Sequence, residues 1–81
     1  MDNMRDTAEV SINKVETILR VMRAGKSLNR FEAEVFGDHV LPSTIAGLRA
    51  QGYLFLASWE RVPTRFGKLV RVRRYTYVGR I

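Results

Sequence analysis

The chain has 81 residues, a formal net charge of +6 and no cysteine. That length allows a single domain around one small core and leaves little volume for a deep catalytic cleft. The lack of cysteine excludes a disulfide framework and a thiolate metal site, and no apolar run approaches the ~20 residues of a bilayer-crossing helix.

The first ten residues, MDNMRDTAEV, are polar and contain no apolar signal-peptide core. Residues 1–8 are expected to form a flexible N-terminus, with the folded domain over 9–81 and a cytoplasmic location. From there Ile12, Val15, Ile18, Leu19 and Met22 recur with a helical period. They predict a first helix over 11–24, capped by Ser11 and stopped by Gly25.

A second, shorter helix is expected over 29–36. Asn29 with Glu32 three residues on has the form of a capping box, and Leu28 is placed to staple the helix entrance. Phe31 and Val35 are expected to face inward, with Leu28 and Phe36 beside them, and Gly37 ends the helix. Pro42 suits only a first turn, so a third helix is expected over 42–51, with Leu41, Ile45 and Leu48 on its inner face and Gly52 as its stop.

The period then changes from 3.6 to 2. YLFLASWERV and LVRVRRYTYV read as the two strands of an antiparallel hairpin around a PTRFGK turn. Val70 and Val72 have one parity, Tyr75 and Tyr77 the other. Either both sheet faces are apolar there or a bulge near Arg73–Arg74 switches the side. Tyr53, Phe55, Trp59, Tyr75 and Tyr77 are expected to pack the hairpin onto the helices. Phe66 lies in the turn, where it folds back, acts as a wedge or meets a protein. The expected fold is α+β, a three-helix bundle containing a helix-turn-helix, followed by a C-terminal β-hairpin.

Charge is unevenly spread along this order. Residues 1–48 carry −1 and residues 49–81 carry +7, with Glu60 the one acid of the second part. Such a field favours a polyanionic partner over a small substrate. Support for catalysis is thin. His39 is the one histidine, Glu32 and Glu34 diverge on their helix, and no glycine-rich phosphate loop is present. Neither an enzyme activity nor a cofactor or metal is expected.

Ala33 and Gly37 occupy the small-residue and turn positions of a helix-turn-helix. With them, SLNRFEAEVFGDHVLPSTIAGLRAQGY and the later VRRYTYV resemble the winged helix-turn-helix family, in particular its small phage and prophage members. The likeness covers residues 11–78, with a helix connection, GDHVLPS, longer than the tightest versions of the motif. It implies binding of double-stranded DNA, with the third helix in the major groove and the hairpin as a wing on the backbone or minor groove.

Taking Leu41, Ile45 and Leu48 as inward, Ser43, Ala46, Gly47 and Ala50 point outward on that helix, with Thr44, Arg49 and Gln51 on its flanks. Small side chains permit close approach to a groove, while only Arg49 and Gln51 are types suited to discriminating bidentate contacts. The hairpin supplies Arg61, Arg65, Lys68, Arg71, Arg73 and Arg74, and Arg30 begins the second helix. About six neutralised phosphates give a salt slope of log K near −5. Three roles fit this pattern: a transcriptional regulator, an architectural or recombination-directionality factor that bends DNA, and a protein-binding module that inhibits a host protein. A homodimer on two half-sites stays open, and no membrane partner is expected.

Overall fold

The computed structural model describes residues 14–81. The expected flexible N-terminus, the Ser11 cap and Ile12 lie outside the described residues. The first helix, α1, occupies 14–23. Its stripe buries Ile18 and Met22, with Val15, Leu19 and Val21 packed against the same cluster. Gly25 ends it at φ +108°. There the Lys26 N–H donates to the Val21 carbonyl and the Gly25 N–H to that of Met22. This pair of bonds satisfies carbonyls that the helix end leaves open, and it needs a left-handed residue at the reversal.

Leu28 then bridges Tyr75 as a one-residue antiparallel strand. The Leu28 N–H donates to Tyr75 O at 3.0 Å, and the Tyr75 N–H returns to Leu28 O at 2.8 Å. The link fixes where the second helix begins.

That helix, α2, spans Arg30–Glu34. The capping box forms as expected: the Asn29 side chain accepts from the Phe31 and Glu32 N–H groups, and Glu32 accepts from the Asn29 N–H. After Glu34 the bonds tighten to three-residue turns, from Val35 to Glu32, Phe36 to Ala33 and Gly37 to Glu34. The helix is therefore shorter than the expected 29–36. Its phase, set by the Asn29 cap, turns Ala33 into the core. Phe31 stays on the surface and Val35 is 82% exposed, which corrects the inward placement of both.

The connection to the next helix is organised by Asp38. Its buried carboxylate accepts the Val40 N–H at 2.9 Å and lies 3.9 Å from Lys14 Nζ. The third helix, α3, spans Leu41–Ala50 with proline in its first turn. Leu41, Ile45 and Leu48 are buried as expected. Thr44 joins them at 9% exposure. It is three residues past Leu41 on the same stripe, so it belongs to the inner face and not to the flank.

Strands β1 (Tyr53–Pro63) and β2 (Leu69–Arg80) form an antiparallel hairpin. The pairing is continuous from Phe55↔Tyr77 to Pro63↔Leu69, and its one irregularity falls between Leu54 and Phe55. No bulge interrupts Arg73–Arg74, so alternation places Val72 and Tyr75 on opposite faces. Both are buried. Tyr75 joins Phe55, Ile18, Met22, Leu28, Ile45 and Leu48 in the core. Val72 lies on the other face, where its cross-strand partner Glu60 is bonded to Asn29. The architecture is α+β, three helices and a two-stranded antiparallel hairpin. No described helix is long and apolar enough to cross a membrane.

Candidate nucleic-acid interface

The distal half of the hairpin extends past Tyr75 of the core cluster and buried Val72. On one of its faces alternation gathers Trp59 and Arg61 from β1 with Arg71 and Arg73 from β2. Trp59 lies directly across from Arg73, and Arg61 across from Arg71. The Arg71 guanidinium sits 4.4 Å from the Trp59 ring centroid and that of Arg73 4.8 Å. Each cation gains from the ring's negative face. Trp59 is 53% exposed, which corrects its expected place in the core: it shares the parity of Phe55 but lies farther along β1, beside the cations.

The Arg61–Arg71 pairing is electrostatically unfavourable, because like charges directly opposite destabilise a ladder. Among the described residues no carboxylate forms a salt bridge with Arg61, Arg71 or Arg73. The same holds for Arg30, Arg65 and Lys68. The hairpin therefore holds concentrated, unneutralised charge around an exposed aromatic ring.

This face opens into a cleft of about 290 Å³ shared with the helices. Arg30 from the start of α2 and Pro42 from the start of α3 line it opposite Trp59, Arg71 and Arg73. Arg30 also stacks over exposed Phe31 at 4.9 Å. The capping box and the Leu28 bridge place Arg30 here, and proline sets the start of α3. The outward side of α3, the helix whose Pro42 lines the cleft, is made of small residues: Ser43, Ala46, Gly47 and Ala50 are all exposed.

At the far end, residues 64–68 form a tied turn. The Thr64 N–H donates to Lys68 O at 2.7 Å, the Gly67 N–H to Thr64 O at 2.9 Å, and the Phe66 N–H to Thr64 Oγ1 at 3.3 Å. Gly67 takes φ +82° to close it. Arg65, Phe66 and Lys68 are all exposed.

Arg74 departs from its expected role. Its parity turns it to the opposite face, where its guanidinium donates to both Glu32 oxygens at 2.9 and 3.0 Å, to Glu60 Oε1 at 3.1 Å and to Ser27 Oγ at 2.9 Å. Asn29 Nδ2 donates to the second Glu60 oxygen at 2.8 Å. Arg74 thus joins both strands to α2 and has no free charge for a phosphate. Its hydrogen bonds hold Glu32 below the usual carboxylate range. Arg74, then Asn29, does the same for Glu60. Bonding to Glu32, then Glu60, pushes the Arg74 guanidinium up.

Two further expected contacts do not line the cleft. Arg49 donates through Nη2 to Phe55 O at 3.0 Å and lies over the Tyr75 ring at 5.9 Å, so its fork is already engaged. Gln51 is the C-cap of α3. Both lie about 10 Å or more along the helix from Pro42 at 1.5 Å per residue. Sequence reasoning missed Trp59 as a member of this surface. The available signal was its shared parity with Arg61. No protein-family model, curated protein or solved structure matches the chain.

Proposed function

We propose that this chain is a winged helix-turn-helix DNA-binding protein, a small transcriptional regulator of phage or mobile-element type. Its α3 enters the major groove with the Ser43–Gly47 side forward, and the hairpin serves as a basic wing along the adjacent backbone. One observation carries this reading. Arg30, Arg71 and Arg73 converge with Trp59 on a cleft that reaches Pro42 at the start of α3, and among the described residues no carboxylate forms a salt bridge with them. A duplex supplies the missing counter-charge as a row of phosphates, whereas a small substrate supplies one or two.

Contacts of this kind set affinity and orientation more than sequence preference. The small α3 face and the withdrawn Arg49 leave direct base readout to Ser43 and close backbone approach. Sequence discrimination is accordingly modest, and affinity falls steeply with salt.

Fluorescence anisotropy with a labelled duplex tests this. The wild-type chain binds, and the double substitution Arg71→Glu with Arg73→Glu abolishes binding at physiological salt while circular dichroism and thermal midpoint stay near wild type. Binding that survives the double charge reversal would remove the wing from the interface.

A further inference from the structure

Phe66 is the most exposed aromatic residue of the described chain, at 85%. It does not fold back onto the hairpin, and yet its backbone is held. Its own N–H is bonded to Thr64 Oγ1, and the bonds on either side close the turn around it. An apolar ring fixed in water at a tip calls for an occupant. The adjoining side chains narrow the choice. Arg65 precedes Phe66 and Lys68 follows two residues later, both exposed and neither salt-bridged among the described residues. Apolar Pro63 and Leu69 form the last pair beneath it.

The setting of the turn gives a second constraint. Arg65, Phe66 and Lys68 line a pocket of about 740 Å³ together with Arg30 and Phe31 of α2. The ring thus stands among cations on the helix side of the hairpin, and paired cations are attracted to the phosphates on both rims of a narrow minor groove.

We infer that Phe66 is a DNA-bending wedge, inserted from the minor groove between two base pairs while Arg65 and Lys68 hold the flanking backbones. Apolar wedges of this kind partly unstack one step and kink the duplex by roughly 20–90° toward the major groove. Pyrimidine–purine steps unstack most easily, so the wedge seats on a TA or CA step in preference to an A-tract. The inference rests on the DNA-binding reading and adds a mechanical consequence to it: the chain shapes the duplex as well as occupying it.

The test measures binding and bending separately on one probe, a short duplex with a central TA step labelled at both ends. Anisotropy reports occupancy, and energy transfer between the ends reports the bend. The wild-type chain raises both signals, and the same duplex with a central A-tract bends less. Phe66→Ala still binds, roughly ten- to hundredfold more weakly for loss of the buried ring, but leaves the duplex straight. Phe66→Leu restores most of the bend. Phe66 is exposed and stands outside the core cluster, so the variants fold. A wild-type chain that binds without bending, or a Phe66→Ala chain that bends as wild type does, overturns the wedge and leaves the DNA-binding reading intact. A wild-type chain that fails to bind the duplex overturns both.

Discussion

Gly47 stands in the middle of α3 without the positive φ that would require glycine, and a Cβ built there meets nothing within 4 Å. Glycine inside a helix costs about 1 kcal/mol relative to alanine. Folding alone therefore favours alanine, and on the proposed DNA-binding reading glycine leaves room for a groove to approach. Gly47→Ala should raise stability by roughly 0.5–1 kcal/mol, or several degrees in thermal midpoint for a domain this small. It should also weaken DNA binding, because the methyl group stands where the groove floor comes closest. A gain in midpoint with undiminished affinity would place the groove elsewhere. Trp59 offers a second residue-scale check, since it is the sole tryptophan. Duplex binding should change its emission as Arg71 and Arg73 turn from its ring toward phosphates. Emission unmoved at saturating DNA would separate the ring from the interface.

Among the elements, the hairpin depends on a polar joint. Arg74 ties β1 through Glu60, α2 through Glu32 and the bridge segment through Ser27. Both glutamates have folded-state pKa values below the ordinary 4.5 because of Arg74. A depressed carboxylate contributes stability that is fully present above its unfolded pKa and is lost as pH falls through the folded one. Thermal midpoints should therefore hold from neutral pH to about 5, then drop below the usual carboxylate range. Glu32→Gln should lower the neutral-pH midpoint and flatten that acid drop. An equally steep drop in Glu32→Gln would assign the acid sensitivity to other groups. This joint also marks the limit of what the sequence told. The helices were legible because Gly25, Gly37, Gly52, Pro42 and the Asn29–Glu32 box are local signals that act within one turn. Val35 and Arg74 were not, since what they meet depends on a cap phase and on distant contacts, and Trp59 was not, since it shares the parity of both Phe55 and Arg61 and alternation does not say where along β1 the core ends. Alternation alone assigned Arg71 and Arg73 to one face. It did not reveal that Arg74, one residue on, meets two acids 14 and 42 positions away.

At the scale of the whole molecule, the net charge of +6 draws on fourteen lysines and arginines, and the structure separates those of the hairpin and α2 start into two kinds. Arg74 is neutralised within the fold. Arg30, Arg61, Arg65, Lys68, Arg71 and Arg73 make no salt bridge among the described residues. On the proposed DNA-binding reading this second group displaces counterions from the phosphates, so log K against log salt should have a slope of about −5 for six phosphates. Net charge by itself makes a different forecast: any lost arginine then weakens the field equally. Comparing Arg73→Gln with Arg74→Gln distinguishes the two, because each removes one positive charge from the same strand. Arg73→Gln should make the slope shallower by about one with little effect on thermal midpoint. Arg74→Gln should leave the slope as it is, measured well below its reduced midpoint. Slopes that shift alike in both variants would mean the protein meets DNA as a diffuse polycation, without the oriented surface that the cleft beside α3 provides.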